Sequence, residues 1–238
     1  MNFYRNFRTL ICCFLFAPQV LTAQQNDWEN PEKPSFNTAP AHAYFIPQEA
    51  AKMSLDGTWR FKIVQNPSLR SLDFFKNTAQ TKDWAQIKVP ANWQTEGFDK
   101  YIFTDVEYPI PVNPPFVPQD YNPVGSYQRD FVIDRSWMGK QIFLHLGAVN
   151  SFFYLWINGQ YIGFSKDSKT PSEFDITKAL KVGHNTVSVQ VFRFSDATYL
   201  EGQDMWKLSG IERSVYLIAR PDFHLGDFKV QGNVDGTY

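Results

Sequence analysis

The stretch FYLWINGQYIGF, residues 153–164, decides the fold class of this chain. Two apolar and aromatic runs, 153–157 and 160–164, flank the pair Asn158-Gly159. Both residues of such a pair tolerate positive φ angles, so Asn-Gly between apolar runs is typical of a tight β-hairpin. The stretch therefore predicts two antiparallel strands joined at this pair.

Other runs of the chain repeat the β-type pattern. A further strand is expected to begin at Ser214. Single helical turns are expected within 71–76 and 171–177. Apolar residues alternate with polar ones, as is typical of half-buried strands, in the runs 59–63, 127–133, 142–146 and 187–191. Since no amphipathic helix separates these runs, the pattern predicts an all-β chain folded as an antiparallel sandwich.

Composition narrows the classes of function. The chain has 238 residues with a formal net charge of -1, and 17% of its residues are aromatic. A nearly neutral chain has no long-range field that would attract nucleic acid or an anionic membrane surface. Abundant aromatic side chains favour strands and flat binding surfaces. We therefore expect no nucleic-acid partner.

The amino-terminal residues 1–23 have the pattern of a signal peptide. Arg5 and Arg8 precede the apolar run 10–16, and Ala23 offers a small-residue cleavage site. The apolar run is too short to span a membrane. The protein is therefore predicted to be periplasmic or secreted.

Both cysteines, Cys12 and Cys13, lie inside this segment. A bacterial lipid anchor on one of them is the alternative to cleavage after Ala23, but no small residue precedes Cys12. After cleavage the chain would hold no thiol, which excludes disulfides, a cysteine nucleophile and thiolate metal ligands. The mature domain must then be stabilised by its apolar core.

Two proline-rich segments interrupt the strand pattern. Residues 24–50 contain four prolines and are expected to form an extended arm that lies on the rest of the protein. Residues 108–123 contain six, and because proline lacks an amide donor this segment is predicted to be a long, stiff loop. A loop of this length is usually functional or disordered, and its apolar residues argue against disorder.

A second candidate loop, 193–213, lies between two predicted strands. It carries the acids Asp196, Glu201 and Asp204 together with Trp206. Loops on a β-scaffold commonly carry recognition residues. The residue types alone therefore favour a binding role for this loop about as much as an ordinary solvated one. Asp196 and Glu201 would also suit the paired carboxylates of glycoside hydrolysis, although their spacing in a loop fixes no distance between them.

The remaining chemistry-bearing residues give weaker signals. Asp105 and Glu107 would share one face of an extended segment, but acids in loops are commonly just solvated. The four scattered histidines show no metal-ligand spacing, and no nucleophile elbow is present. Trp93, Trp156 and Trp206 could stack on sugar rings, with packing in the core as the alternative, which fits Trp156 best. These residues alone indicate an exported β-sandwich with an acidic and aromatic loop.

Five motifs follow one another between Leu55 and Val230: VPANWQ at 89–94, FTDVEYPIPVNPPFVP at 103–118, PSEFD at 171–175, RFSDATYLEGQDMW at 193–206 and LSGI at 208–211. Together they closely resemble the large β-galactosidases of glycoside hydrolase family 2. The proline-rich motif resembles the galactosidase branch rather than the related glucuronidases and mannosidases.

The resemblance implies a particular architecture. Residues 51–220 would form a jelly-roll β-sandwich that binds sugar, and 221–238 would begin a truncated immunoglobulin-like domain with its first strand. The family's two catalytic glutamates, and the Mg²⁺ near one of them, belong to a later barrel. The chain would then be the amino-terminal part of a retaining β-galactosidase, inactive by itself and homo-oligomeric when whole.

The resemblance also implies roles for individual residues. Asp196 matches the family's substrate aspartate, which contacts sugar hydroxyls and ligates a sodium ion (Na⁺), and a carboxylate suits such a hard cation. Asp105 stands where the family usually has Asn, so an amide donor is replaced by a charge, and we expect the fine contacts to the sugar to change there. Trp206 is expected to be a nearby structural residue or part of the pocket wall.

Two other classes of function stay open at this point. A stand-alone carbohydrate-binding module would bind galactosides without a barrel, whereas a structural interface module would keep the fold and bind no sugar. The proline-rich loop and the apolar residues after Pro221 have the character of surfaces that pack against further domains. This favours the β-galactosidase interpretation.

Overall fold

The computed structural model of the protein describes residues 26–42, 51–76, 81–221, 223–225 and 227–236. In these ranges it contains sixteen β-strands: β1 (Ser35–Phe36), β2 (Ala51–Ser54), β3 (Gly57–Val64), β4 (Ala85–Val89), β5 (Ala91–Asn92), β6 (Phe103–Thr104), β7 (Val124–Ile133), β8 (Gln141–Leu146), β9 (Val149–Asn150), β10 (Phe152–Ile157), β11 (Gln160–Ser165), β12 (Ser172–Asp175), β13 (Gly183–Phe192), β14 (Met205–Trp206), β15 (Gly210–Ile211) and β16 (Val215–Arg220). The described residues also form six short 3-10 helices: Asp27–Glu29, Pro67–Leu69, Phe74–Lys76, Arg135–Trp137, Thr177–Ala179 and Asp196–Tyr199. None of the helices in this part of the chain is long and apolar enough to cross a membrane. The predicted signal peptide, 1–23, lies outside the described residues.

The long strands form two sheets in which every pair is antiparallel. The larger sheet has seven strands in the order β1-β11-β10-β13-β7-β3-β4, and the smaller has four in the order β12-β8-β16-β2. Two small sheets, β14-β6 and β5-β15-β9, lie in the connecting segments. The predicted all-β sandwich is confirmed.

The main core lies between the two large sheets. Alternate residues of each strand point to this side, as the period of two requires, and they are almost completely buried. From the larger sheet they include Leu155, Val189 and Tyr127, and from the smaller sheet Leu144 and Leu217. Burying each large apolar side chain contributes about 1.5–3 kcal/mol to stability. This layer holds the two sheets together in the described part of the chain, which contains no cysteine.

A second apolar cluster covers part of the outer face of the seven-stranded sheet. Trp28, from the amino-terminal segment, is 4% exposed and stacks on Phe192 of β13 with ring centroids 4.6 Å apart. Phe152 and Phe164 of β10 and β11 complete the contact. The described part of the predicted arm, 26–42, is therefore packed onto the sandwich rather than extended into solvent.

The same segment joins the edges of both large sheets. β1 pairs with the edge strand β11 of the larger sheet. Ala39 then donates its amide to the carbonyl of Glu173 on β12, the edge strand of the smaller sheet, at 2.7 Å. The arm thus covers two exposed rows of backbone groups, which would otherwise be free to pair with other chains.

The predicted hairpin is confirmed, whereas one predicted turn is wrong. Asn158 and Gly159 have φ angles of 51° and 83° between β10 and β11, and the Asn158 side chain donates to the Ala179 carbonyl at 2.8 Å. Residues 172–175, predicted as part of a turn, form β12 and pair with β8. Tertiary pairing overrides the turn-forming composition of this short segment.

The residues after Pro221 form no strand where the structure describes them. Phe223 is 97% exposed and Val230 72% exposed. A strand needs a neighbouring strand to satisfy its backbone groups, and the described residues here pair with none. The first strand of an immunoglobulin-like domain therefore stays a prediction.

Glu173 connects the arm to the smaller sheet through its side chain. The buried carboxylate accepts hydrogen bonds from His42 of the arm at 3.0 Å and from His145 of β8 at 3.0 Å. Arg220 of β16 lies 3.3 Å away. One carboxylate therefore joins three separate segments of the chain.

The contacts of Glu173 predict an acid-sensitive contribution to stability. Burial raises the pKa of Glu173, but hydrogen bonds from His145 and His42, together with the charge of Arg220, lower it by more, from 4.5 to about 2. Because the folded-state pKa lies below the unfolded value, the stabilisation is present above about pH 4.5 and is lost as the pH falls towards 2. We expect Glu173→Gln to lower the free energy of unfolding at pH 7 and to flatten its pH dependence in this window. Urea unfolding at several pH values measures this, with the exposed Glu32→Gln as control; parallel profiles for Glu173→Gln and the wild type would contradict it.

Candidate sugar-binding site

Two loop segments that carry acidic residues meet at one end of the sandwich. In the small sheet β14-β6, Met205 lies opposite Thr104 and Trp206 opposite Phe103. Continuing this register by one position places Asp204 opposite Asp105, and facing positions of an antiparallel pair have Cβ atoms about 4.5–5.5 Å apart. Both aspartates are exposed. Asp105 and Asp204 are thus the next residues beyond the paired positions of β6 and β14, and this register is the basis for placing them near each other.

Aromatic side chains surround this pair of carboxylates. Trp206 is 56% exposed, and its ring makes edge contacts with Tyr101 and Phe103 at centroid distances of 5.7 Å and 5.3 Å. The ring is therefore held by neighbours on one side and open on the other. An exposed indole beside carboxylates can stack on the apolar face of a sugar ring while the carboxylates accept its hydroxyl groups.

A cavity of about 310 Å³ lies beside Trp206 and beneath the loop 200–209. This volume is at the lower end of the ~300–1,000 Å³ that is typical of small-molecule sites. Apolar groups of Leu200 and Met205 line it together with the polar side chains of Asn150 and Glu201. Trp206 forms part of its wall.

Glu201 is fixed by hydrogen bonds inside this cavity wall. Its carboxylate accepts from the amide of Ser168 at 3.0 Å and from the hydroxyl of Ser168 at 2.7 Å. Burial raises the pKa of Glu201, and the two bonds from Ser168 partly oppose that rise. Glu201 therefore holds the loop against the segment that follows β11. The hydrogen bonds of its carboxylate go to Ser168 rather than to Asp196.

Asp196 is buried in an ion pair. Its Oδ2 accepts a hydrogen bond from the ammonium group of Lys166 at 2.8 Å, and its Oδ1 accepts from the amide of Ala197 at 2.9 Å. Lys166 also donates to the carbonyl of Asn30 in the arm at 2.7 Å. A sodium ion at this carboxylate would lie close to an ammonium group of the same sign. Asp196 is therefore a poor fit to a sodium ligand in this chain, and its predicted contacts to sugar and sodium stay untested.

Arg193 holds the two loop segments in place. Its guanidinium is completely buried and forms an ion pair with Asp99, while further bonds reach the Lys100 carbonyl at 3.1 Å and the Tyr121 hydroxyl at 2.8 Å. On the other side it donates to the Lys207 carbonyl at 3.0 Å. These partners flank β6 and β14, so one side chain sets the separation of the segments that carry Asp105 and Asp204.

The proline-rich loop is tied to the same region. It has no strand or helix between 108 and 123, as predicted. The Tyr199 hydroxyl donates to the Phe116 carbonyl at 2.6 Å, and the Asn113 amide donates to that hydroxyl at 3.2 Å. The carboxylate of Glu29 in the arm accepts the amide of Val117 at 3.1 Å. The loop is therefore ordered by contacts to both the arm and the acidic loop.

Sequence reasoning singled out Asp105 and missed its neighbour Asp204. Asp204 was one acid among several in its loop, and only the pairing of Trp206 with Phe103 supplies the register that sets it opposite Asp105. Lys166 was also missed, because a lone lysine after an apolar strand has no distinguishing signal. An exposed tryptophan next to an acid was the one feature that pointed to this position.

An antiparallel sandwich with carboxylates, an exposed indole and a cavity on loops at one end defines a carbohydrate-binding type of domain. Residues 52–221 match the family "Glycosyl hydrolases family 2, sugar binding domain", and the chain belongs to this family. The match confirms the family resemblance predicted from the motifs.

Similar proteins of known name are β-galactosidases. The chain is 41% identical to one from Priestia megaterium over 230 residues, 89% of this chain and 22% of that protein. It is 40% identical to one from Vibrio cholerae and 42% identical to one from Yersinia pestis, which cover 89% and 94% of this chain. The chain spans 22% of the length of each of these relatives.

Solved structures share the fold at lower sequence identity. A β-glucuronidase of Bacteroides uniformis has a TM-score of 0.56 at 23% identity, covering 73% of this chain and 18% of its own. A β-glucuronidase from an uncultured Clostridium has a TM-score of 0.55 at 20% identity, covering 76% of this chain and 31% of its own. At these identities the likeness shows the fold alone.

Removal of the Arg193 side chain tests its role in holding the site. We expect Arg193→Met to lower the free energy of unfolding by about 3–5 kcal/mol, because Asp99 would be left buried without a counter-charge. The double variant Arg193→Met/Asp99→Leu should recover part of this loss, since no charge then stays buried. Urea unfolding measures both, with Arg135→Met, at an exposed position, as control. Equal midpoints for Arg193→Met and Arg135→Met would refute the role.

Proposed function

We propose that this chain is the sugar-binding domain of a β-galactosidase, and that it contacts the terminal, non-reducing β-D-galactose of the substrate. The observation that supports this most is the pairing of β6 with β14, which exposes the ring of Trp206 and whose register, continued by one residue, sets Asp204 opposite Asp105. The β-galactosidase relatives at 40–42% identity support the choice of sugar.

The chemistry of the pair suits hydroxyl recognition. A carboxylate accepts hydrogen bonds only, and charge-assisted bonds of this kind are stronger than neutral ones. Two carboxylates on neighbouring strands can each accept a different hydroxyl group of one sugar ring, which fixes its orientation. The indole of Trp206 would then cover the apolar face of that ring. This divides recognition between directional polar contacts and a flat apolar one.

We propose that a sodium ion shares this site. Sodium prefers hard oxygen ligands, and the exposed carboxylates of Asp105 and Asp204 supply them, whereas Asp196 already has the ammonium group of Lys166 at 2.8 Å. Two adjacent carboxylates repel each other, so a cation between them would lower that repulsion. The ion pair of Asp196 with Lys166 supports the choice of this pair, and Asp196 stays the alternative ligand that the family resemblance implies.

Hydrolysis itself is assigned to another part of the enzyme. In the proposed enzyme, two glutamates of a barrel domain, with Mg²⁺ near the acid/base, would carry out a retaining reaction. The residues of this chain would bind and orient the galactose. Galactose orientation matters because a misplaced sugar reacts much more slowly even when the catalytic groups are intact.

The setting of the enzyme is also part of the proposal. Export to the periplasm or outside the cell rests on the signal-peptide pattern of residues 1–23. Assembly into a homo-oligomer rests on the family resemblance alone. The formal net charge of -1 favours a neutral sugar over nucleic acid as the partner.

A stand-alone carbohydrate-binding module is the second candidate. The exposed Trp206 would suit it, because an aromatic ring and two acids can bind a sugar without catalysis. Against it, Leu200 in the cavity wall is 87% exposed, and Val106, which follows Asp105 in the sequence, is 90% exposed. Apolar side chains around a polar centre are typical of a surface that packs against protein. This favours a domain within a larger enzyme.

Two matched substitutions in the enzyme that contains this chain discriminate the candidates for the sugar contact. We expect Asp204→Asn to lower kcat/KM for an aryl β-galactoside by at least about tenfold, because a hydroxyl loses its charged acceptor. It should also weaken the activation by Na⁺. Asp196→Asn should mainly reduce stability, since Lys166 would lose its counter-charge.

The control is Asp83→Asn, at an exposed position far from the loops in sequence. Steady-state kinetics at several Na⁺ concentrations, together with thermal unfolding, separate the outcomes. If Asp196→Asn abolishes the Na⁺ dependence while Asp204→Asn behaves like the control, the roles are reversed and the assignment of Asp204 is wrong.

A further inference from the structure

A second cavity, of about 140 Å³, lies on the outer face of the seven-stranded sheet. Its floor consists of sheet residues, Tyr154, Trp156, Tyr161 and Gln190, and its wall is the segment 70–75. It shares no lining residue with the cavity beside Trp206. The two cavities are therefore separate features of the domain.

The wall of this cavity is fixed to its floor. Phe75 stacks on Trp156 with ring centroids 4.7 Å apart and an angle of 7° between the planes. The side-chain amide of Gln190 donates to the Ser71 carbonyl at 3.1 Å and to the Ser126 hydroxyl at 3.0 Å. The opening thus exists before any ligand arrives, and a ligand need not order a loop to enter it.

Aromatic rings extend the floor beyond the cavity. Tyr161 is 42% exposed and Phe36 of the arm is 53% exposed. Their rings are almost parallel, with 4° between the planes and 6.1 Å between the centroids. Flat, rigid apolar surfaces of this kind suit the C–H face of a pyranose ring.

Polar groups stand at the rim. Arg70 is half-buried and donates to the Pro67 carbonyl at 2.7 Å, and its guanidinium lies 5.0 Å from the ring centroid of Trp28. Within the described ranges, no carboxylate lies within ion-pair distance of Arg70. Burial lowers the pKa of Arg70. A guanidinium carries five N–H donors, so a ligand in the cavity would find donors that Pro67 does not use.

The charge around the cavity is nearly balanced. Asp27 of the arm accepts a hydrogen bond from the Tyr154 hydroxyl at 2.8 Å, so a carboxylate lies next to a residue of the floor although it does not itself line the cavity. A free anion would be attracted by the guanidinium of Arg70 and repelled by the carboxylate of Asp27. A neutral ring rich in hydroxyl groups can accept hydrogen bonds from Arg70 without being repelled by the charge of Asp27. The cavity therefore suits a neutral sugar better than an acidic one.

From these contacts we infer that the outer face of the sheet holds a second carbohydrate site, which takes one neutral sugar ring of a longer glycan. The volume is below the ~300–1,000 Å³ of sites that enclose a drug-sized ligand, so the ring lies on Tyr161 rather than being engulfed. Such a site would hold a polymeric substrate near the enzyme and raise its local concentration without contacting the reacting bond. This goes beyond the proposed role of Asp105 and Asp204.

Affinity electrophoresis of the enzyme that contains this chain tests the inference. The probes in the gel are a soluble neutral β-galactan and, separately, polygalacturonate. We expect retardation by galactan but not by polygalacturonate. Tyr161→Ala should weaken galactan binding by about fivefold or more, the effect of one lost aromatic contact. Tyr161→Phe should retain it, because the ring stays.

Hydrolysis of a small aryl galactoside should be unchanged in Tyr161→Ala, since that substrate does not reach the second cavity. Asp204→Asn should leave the retardation by galactan in place, and thermal unfolding checks that each variant is folded. The inference is overturned if galactan causes no retardation, if Tyr161→Ala binds galactan like the wild type, if Asp204→Asn abolishes retardation, or if polygalacturonate is the probe that binds.

Discussion

The buried guanidinium of Arg193 is the contact on which the geometry of the site depends. Burying a charge away from water costs free energy unless the charge is paired and hydrogen-bonded. The partners of Arg193 must therefore stay within hydrogen-bonding distance of its guanidinium. These partners are Asp99, Tyr121 and the carbonyls of Lys100 and Lys207. Those partners belong to segments that are far apart in the sequence. Their convergence lets β6 pair with β14, and the register of that pairing, continued by one residue, sets Asp105 opposite Asp204.

The rest of the domain supports this arrangement from two sides. The main core fixes β13, from whose end Arg193 projects, against the smaller sheet. On the outer face, the arm packs Trp28 onto Phe192 and contacts Lys166 through Asn30. Lys166 supplies the positive charge that pairs with the buried carboxylate of Asp196. The arm, the acidic loop and the proline-rich loop are therefore one connected structure.

Local patterns in the sequence predicted most of the sandwich but only part of the site. Asn158-Gly159 and the alternating strands depend on neighbouring residues, so they could be read directly. β12 could not, because Ser172–Asp175 becomes a strand only through its pairing with β8. The position of Asp204 could not be predicted for the same reason, because it depends on a register between segments about a hundred residues apart. Asp196 fitted the family motif, yet its partner Lys166 is visible only in three dimensions.

A crystal structure of the galactose complex, for the enzyme that contains this chain, would test the central claim most directly. The account predicts galactose hydroxyl groups within about 3 Å of the carboxylates of Asp105 and Asp204, with the ring of Trp206 beside the sugar and the Lys166–Asp196 ion pair intact. A galactose bound to Asp196 with Lys166 displaced, or one that contacts neither Asp105 nor Asp204, would contradict it.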